Sequence, residues 1–391
     1  MYDLIVKGGT VVDPSQKLHG INDVAIEDGK IARIAPDISA DEAKRVVEVK
    51  GKVVTPGLID IHTHVYAGVN ASGVDADIGG VRASVTTMVD AGSSGCDTFG
   101  GFPLHIIPNT ATEIICFLHI CRTGLATTPD IFSPDSIDLD RTIQVIKDNK
   151  GVISGVKARM VSPALEIMGM EMPKMAKRAA VEAGVPLMVH IGDTLKRYDA
   201  NVIRELLPIL DKGDIVTHYF TANPGGVLDS NGKLVPEAKE AHDRGVWLDT
   251  AHGRMNFSFD VGEKVLDQGV LPHCISTDLT LPGRTLTVHS MTEMMTRFLA
   301  MGFTFDQVVT MSTENPAKAV GVADRLGTLA IGKQADLSVL EIKDGDWMVY
   351  DILGDGRKSD KAVIPVMAIK KGKVYEAGWG PRPWGWEPDS A

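Results

Sequence analysis

The sequence predicts an α/β protein: a (β/α)8 (TIM) barrel that carries a small β-sandwich domain formed from both chain ends. Three observations predict this fold. Short apolar runs alternate with amphipathic stretches through the middle of the chain, both ends resemble β-strands, and polar residues recur where the central apolar runs end. With 391 residues, the chain is long enough for one large domain and a smaller one.

The composition narrows the classes of partner. Hydrophobic residues make up 44% of the chain and charged residues 23%, as in ordinary globular proteins. The formal net charge of -11 argues against nucleic acid and anionic membranes, and no segment approaches the roughly 20 apolar residues of a membrane span. The strand-like N-terminus indicates no signal peptide, and four cysteines without CxxC spacing suit reduced thiols. We expect a cytoplasmic homo-oligomer that acts on a small-molecule substrate.

Both chain ends show strand patterns. Near the N-terminus these are 2–7, 10–13, 23–26, 31–34 and 46–49, with an Asp-Gly hairpin signal at 28–29. Near the C-terminus they are 336–341, 363–369 and 373–375. Too few strands lie at either end to bury a core alone. We therefore predict that residues 1–52 and 323–391 form one small domain, and that a barrel over 53–322 is inserted between its two parts. Two independent β fragments are the alternative.

The central region alternates strand and helix patterns. The predicted strands are Val53–His62, Thr86–Ala91, Glu113–Ile120, Val152–Arg159, Pro186–Ile191, Asp214–Phe220, Val246–Thr250 and Leu271–Asp278. The predicted helices are Asp138–Asn149, Pro173–Ala183, Ala200–Leu210, Pro236–Arg244, Phe259–Gln268 and Val288–Met301. Such alternation favours a parallel sheet. An open doubly wound sheet is the alternative, but no Gly-rich dinucleotide loop follows the first strand.

Polar residues end several of these strands. They are His62 and His64 on the first strand, Lys157 on the fourth, His190 on the fifth, His218 on the sixth, His252 after the seventh and Asp278 on the eighth. Histidines two apart on a strand point the same way, and imidazole suits zinc and similar ions. Singly, a strand-end histidine is more often structural, a lysine can extend to the surface, and an aspartate can cap a helix. In a barrel, however, all these ends share one rim.

The chain resembles the amidohydrolase superfamily, in the branch of the dihydroorotases, hydantoinases and N-acyl amino acid deacylases. The resemblance rests on GLIDIHTH at 57–64, the strand-end residues above, NPA at 315–317 and GKQAD at 332–336. TMVDAGS at 87–93 and ISTDL at 275–279 are similar to the deacetylase-like, dihydroorotase-like group. The resemblance implies two divalent metal ions, zinc or else manganese or cobalt. One ion would bind His62, His64 and Asp278, the other His190 and His218, and an N6-carboxylated Lys157 would bridge them.

The implied activity is hydrolysis of an amide, or of an ester of similar shape, by a hydroxide held between the ions. We expect a deacetylase or deacylase in which Asp278 transfers the proton and His252 contacts substrate or the oxyanion. Tyr66, Tyr219, Arg159 and Arg284 are further candidates for substrate binding. The alternatives are a cyclic amidohydrolase, a deaminase and a non-catalytic scaffold relative. Tyr66 stands where dihydroorotases carry an arginine, and Asp193 follows His190 where deaminases often carry a glutamate.

Overall fold

The computed structural model describes residues 1–378, which form two β-sheets and the helices between them. The C-terminal tail, which contains Trp379, Trp384 and Trp386 among glycines and prolines, lies outside the described residues. The N-terminal strands are β1 (Leu4–Asp13), β2 (Leu18–Glu27), β3 (Lys30–Ala35), β4 (Val46–Glu48) and β5 (Val53–Pro56). β1 pairs antiparallel with β2 and parallel with β4 and β5.

A parallel sheet occupies the middle of the chain. Its strands are β6 (Leu58–Thr63), β7 (Val85–Ala91), β8 (Glu113–His119), β9 (Ile153–Arg159), β10 (Leu187–His190), β11 (Ile215–Thr217) and β12 (Trp247–Asp249). Each strand pairs with the next in chain order, which is the arrangement that successive right-handed β–α–β units produce. The sheet therefore has β6 at one edge and β12 at the other.

The eighth predicted strand, over Leu271–Asp278, is wrong as a regular strand. Cys274 bridges Asp249 on one edge of the sheet, and Leu279 bridges Thr63 on the other. Between these points the backbone N–H of Thr277 donates to Asp60 Oδ1 (3.1 Å) and not to a neighbouring strand. Asp278 then adopts a left-handed conformation with φ of 50°. The carbonyl groups of Cys274, Ser276 and Thr277 still accept backbone N–H groups of the segment after β12. The Asp60 acceptor and the turn at Asp278 interrupt the regular strand pairing.

The C-terminal strands are β13 (Leu337–Tyr350), β14 (Gly356–Lys370) and β15 (Lys373–Glu376), and they complete the first sheet in the order β15-β14-β13-β5-β1-β2-β3. The β13–β14 hairpin is longer than its sequence pattern predicts. Its outer part buries Trp347 and Val363 in the same apolar core as the parallel sheet, and Val363 N donates to Thr296 Oγ1 (3.0 Å).

The predicted strand Val53–His62 is divided between the two sheets. Residues Val53–Pro56 pair with β1 and β13, whereas Leu58–Thr63 pairs with β7. Gly57 lies at the crossing, and a Cβ atom there would come within 2.2 Å of Thr86 Oγ1. The close approach explains why glycine occupies this position.

The helices are α1 (Ala76–Gly79), α2 (Leu139–Asp148), α3 (Ala164–Met168), α4 (Glu171–Ala183), α5 (Val202–Leu206), α6 (Pro236–Arg244), α7 (Phe259–Asp267), α8 (Leu281–Leu286), α9 (Met291–Ala300), α10 (Phe305–Ser312) and α11 (Glu314–Ala319). Shorter helical segments are Pro14–Gln16, Ala40–Glu42, Val81–Ala83, Phe102–Ile106, Ile107–Asn109, Gly124–Ala126, Pro134–Ser136 and Leu207–Ile209. None of the helices within residues 1–378 combines the length and the hydropathy that a membrane span requires.

The two sheets are joined by buried charges at the start of β8. Lys370 Nζ lies 2.6 Å from Glu113 Oε2 and 2.6 Å from Asp336 Oδ2, and Arg325 also pairs with Glu113. Lys370 and Asp336 are almost fully buried, so this cluster is satisfied internally, as buried charges require.

Candidate metal centre and adjoining cavity

Six polar side chains meet at the carboxyl end of the parallel sheet. Asp278 Oδ1 lies 3.2 Å from His64 Nε2 and 3.6 Å from His62 Nε2. Asp278 Oδ2 lies 4.0 Å from His218 Nε2. The rings of His190 and His218 are 4.1 Å apart, and Lys157 Nζ is 3.0 Å from His62 Nε2. The structure thus brings together every residue that the sequence proposes as a metal ligand.

A hydrogen-bond chain fixes the tautomer of His62. Thr217 Oγ1 donates its only hydrogen to Asp249 Oδ2 at 2.6 Å. At 2.7 Å from His62 Nδ1, the same oxygen must accept a proton from that nitrogen. Nδ1 therefore carries the hydrogen, and the lone pair of Nε2 points towards Lys157 and Asp278. Such outer partners orient histidine ligands in metal sites.

His218 is fixed in the same way by a carbonyl oxygen. Its Nδ1 donates to the backbone oxygen of Ala251 at 2.9 Å, because a carbonyl can only accept. Its Nε2 is buried and has no hydrogen-bond partner among residues 1–378, and the same is true of His190 Nε2. Buried polar atoms without partners are rare and costly. A divalent cation would satisfy both atoms, so the donor set fits such an ion.

Two of these residues have a strained backbone conformation themselves. His218 has φ of 67° and Asp278 has φ of 50°, in the left-handed region that side chains other than glycine seldom adopt. Strain of this kind persists where the surrounding structure demands it, and it is concentrated at functional sites. Asp278 does not cap the following helix, because Thr280 accepts the Gly283 N–H at the start of α8.

Lys157 is 1% exposed and does not extend to the surface. Its Nζ contacts His62 Nε2 and, at 3.4 Å, Met188 Sδ. No carboxylate among residues 1–378 forms an ion pair with it. Burial lowers the pKa of Lys157 to about 7, so a large fraction of the amine is neutral near neutral pH. Gly92 makes room for the side chain, since a Cβ atom there would lie 2.7 Å from Lys157 Cγ.

The protonation states suit cation binding. Burial lowers the pKa of His62 and of His190 well below the usual range, and it lowers the pKa of His218 to about 4. Burial alone would raise the pKa of Asp278. The hydrogen bond with His64 and the proximity of His218 and Lys157 outweigh that effect and lower the pKa of Asp278. Neutral imidazoles and an ionised carboxylate are the forms that bind metal.

A cavity of about 260 Å³ opens onto this cluster. His64, His190 and Asp278 of the cluster line it. The rest of its lining includes the polar side chains of Asn70, Ser72, Thr128, Arg159, Arg254 and Asn256. A concave site with a few polar groups beside an ionisable cluster is the usual form of a small-molecule site.

The other sequence candidates lie elsewhere, with one exception. Arg159 lines the cavity and donates to Asp130 Oδ2 at 3.2 Å. Tyr66 and Tyr219 are buried; the Tyr66 hydroxyl donates to the Thr98 carbonyl, and the Tyr219 hydroxyl has no hydrogen-bond partner in the described part of the chain. His252 is fully buried and stacks on Phe257 at 5.0 Å.

Arg284, on α8, is half-buried, and its Nε has no hydrogen-bond partner among the residues that the structure describes. Tyr66, Tyr219, His252 and Arg284 are not among the cavity-lining residues within 1–378. Their roles in substrate binding stay predictions.

Several residues at the site were not predicted from the sequence. Asp249 and Thr217 orient His62, and Asp90 accepts the backbone N–H of Ser93, whose Oγ lies 2.9 Å from His64 Nδ1. An aspartate inside an apolar strand was the available signal for Asp90 and Asp249. Arg254 and Asn70 lie in loops, and nothing in their local sequence distinguishes them.

Comparison with known proteins agrees with this geometry. The amidohydrolase family matches residues 53–375. The chain belongs to the amidohydrolase family. A deacetylase of Agrobacterium fabrum is 32% identical over 345 residues, 88% of this chain and 83% of that protein.

Two solved structures resemble the whole fold. An adenine deaminase has a TM-score of 0.86 at 28% identity and covers 96% of this chain and 100% of its own. A dihydroorotase has a TM-score of 0.85 at 30% identity and covers 96% of this chain and 99% of its own.

Proposed function

We propose that this amidohydrolase is a binuclear metal-dependent deacylase that removes an acyl group, such as acetyl, from the nitrogen or oxygen of a small molecule. In this proposal the segment after β12 completes a (β/α)8 barrel, and the terminal strands form a β-sandwich domain. The observation that carries the proposal is the convergence of His62, His64, His190 and His218, ionised Asp278 and buried Lys157 at one end of the cavity.

Lys157 is suited to join two cations. A neutral amine adds to carbon dioxide, forming an N–C bond and releasing one proton, and the product is an anionic carbamate. The depressed pKa of Lys157 makes this reaction accessible near neutral pH. The carbamate would carry two oxygens into the space between the His62–His64 pair and the His190–His218 pair, where divalent cations need anionic ligands.

Asp278 is placed to move the proton of the reaction. Its carboxylate is ionised and lines the cavity, so it can accept a proton at Oδ2 and later deliver it to the departing nitrogen or oxygen. The metal ions, zinc or else manganese or cobalt, would polarise the acyl carbonyl and lower the pKa of a water molecule. Thr217 and Ala251 keep the imidazoles of His62 and His218 in the binding tautomer throughout.

The deacetylase of Agrobacterium fabrum supports the acyl substrate. Two features weigh against the other reactions. Tyr66, at the position of the dihydroorotase arginine, directs its hydroxyl to the Thr98 carbonyl and not to the cavity. Asp193 accepts from the backbone N–H groups of Ser162 (3.0 Å) and Arg197 (2.9 Å), so it organises a loop. Hydrolysis of cyclic imides and deamination of adenine are the two alternative reactions that the experiment below distinguishes from deacylation.

The test combines metal analysis with a substrate screen. Purified protein should contain two equivalents of divalent metal by mass spectrometry and should hydrolyse at least one N-acetyl amino acid or acyl ester. His218→Asn should lose metal and activity, whereas His242→Asn, on the outer helix α6, should keep both. Two metals with turnover only of cyclic imides or of adenine would refute the deacylase assignment. Metal-free protein with full activity would refute the metal centre.

A further inference from the structure

Arg254 is a cation without a partner on the wall of the cavity. It lies in the loop after β12, is exposed, and lines the cavity. Its stem packs along α8, where a Cβ atom on Gly283 would lie 3.5 Å from Arg254 Cγ. It forms no ion pair or hydrogen bond with any residue in 1–378. Its guanidinium therefore keeps all five N–H donors available.

Asn70 supplies a second unsatisfied donor in the lining of the same cavity. It is 6% exposed, and its Oδ1 accepts the Ser72 backbone N–H at 2.9 Å. This bond orients the amide, so the remaining Nδ2 group has a fixed direction. That Nδ2 is buried and has no acceptor among the described residues. A buried amide donor without an acceptor is costly unless a ligand or water satisfies it.

Arg159 adds a second cation to the lining, and an ion pair with Asp130 fixes its position. One guanidinium nitrogen donates to buried Asp130 at 3.2 Å, and the side chain is 26% exposed. Asp130 in turn lies 3.4 Å from His119 Nε2. Because Cys121 N donates to His119 Nδ1 at 2.9 Å, the hydrogen of neutral His119 is on Nε2 and faces Asp130. The arginine is thus positioned, and its other donors remain for the cavity.

The cavity lining is rich in cationic side chains, although the protein as a whole is acidic. The chain carries a formal net charge of -11, yet the cavity lining within residues 1–378 contains two arginines and a single carboxylate, Asp278, which belongs to the metal centre. We propose that Arg254 and Asn70, assisted by Arg159, form a subsite for a carboxylate on the substrate, and so determine its specificity. This inference rests on the proposed function: the substrate would be an acylated amino acid or hydroxy acid, and its neutral carboxamide would be disfavoured.

Binding without turnover tests the subsite directly. The probes are N-methanesulfonylglycine and its carboxamide, which have the same shape and no N-acyl group to cleave. Calorimetry on the metal-loaded wild type should show about tenfold or more tighter binding of the acid, as expected for charge-assisted hydrogen bonds. Arg254→Gln should lose most of that preference and bind the carboxamide as the wild type does. Arg204→Gln, on the outer helix α5, is the matched control and should behave as the wild type.

Asn70→Asp provides an isosteric second variant. It retains the acceptor for Ser72 N and replaces the free donor by a negative charge. It should therefore weaken binding of the acid and leave the affinity for the carboxamide unchanged. Equal binding of both probes to the wild type, or equal loss of both in Arg254→Gln, would overturn the subsite.

A parallel assay on N-acetyl amino acids and their carboxamides separates the two proposals. Turnover of both forms at equal kcat/KM would refute the subsite and leave the deacylase assignment standing. Acid-selective binding with no turnover of any acyl compound would refute the deacylase assignment and leave the subsite standing.

Discussion

Two buried lysines, Lys157 and Lys370, lie at opposite ends of the parallel sheet and have opposite surroundings. Lys370 Nζ lies 2.6 Å from each of two carboxylates, Glu113 and Asp336. Lys157 forms no ion pair within residues 1–378, and its neighbours at Nζ are an imidazole and a thioether. Burial costs both side chains the hydration of an ammonium ion. A paired lysine recovers that energy and holds two sheets together, whereas an unpaired one lowers its pKa and becomes reactive.

The largest effect should come from removing the unpaired lysine. Lys157→Ala should lower kcat/KM by roughly 10³-fold or more, because the proposed metal centre would lose its anionic bridge. Bound metal should fall below two equivalents by mass spectrometry. Lys147→Ala, an exposed substitution on α2, is the control. Two metals and full activity in Lys157→Ala would contradict the role assigned to Lys157.

Removing the paired lysine should affect stability and not chemistry. Lys370→Met leaves the Glu113 and Asp336 carboxylates with a single paired cation among the described residues, Arg325 on Glu113, so the free energy of unfolding should fall by about 3–5 kcal/mol. Urea unfolding measures this change, and metal content should remain that of the wild type. A loss below about 1 kcal/mol, or a loss of metal with stability retained, would remove the contrast between the two lysines.

The same cluster should make stability depend on acid pH. Burial opposes ionisation of Glu113, but Lys370 and Arg325 outweigh it and lower its pKa from 4.5 to about 2. A carboxyl with a depressed folded pKa stabilises the protein above pH 4.5 and loses that contribution as pH falls towards 2. The difference in unfolding free energy between wild type and Glu113→Gln should therefore shrink by roughly 3 kcal/mol over this range. A difference independent of pH would show that Glu113 is not ionised in the cluster.

A smaller effect should follow at the metal centre from removing an orienting hydroxyl. Thr217→Val keeps the shape of the side chain but leaves His62 Nδ1 without its acceptor, and Asp249 also loses a donor. Metal affinity measured by chelator competition should fall about 10- to 100-fold. Thr217→Ser should restore it, because serine supplies the same hydroxyl. Unchanged affinity in Thr217→Val would mean that the Nε2 lone pair of His62 is oriented by packing alone.

Local patterns predicted the elements with the clearest periodicity. Helix α6 has the bounds that its sequence indicates, and α2, α4, α7 and α9 differ by a few residues. The long β13–β14 hairpin was not predicted in full, because its outer half is stabilised by packing against α9. The eighth strand failed for a related reason, since the Asp60 carboxylate takes the hydrogen bond that a ladder would use.

The sequence by itself determined that apolar strands end in histidines, a lysine and an aspartate, because the two-residue period of a strand decides which side chains share a face. It also indicated the family through motifs that lie next to those strand ends. Only the tertiary structure decided which nitrogen of His62 carries a proton, that Lys157 has no counterion among residues 1–378, and that Arg254 and Asn70 line the same cavity. Those properties depend on distances between residues far apart in the chain, and no local pattern encodes such distances.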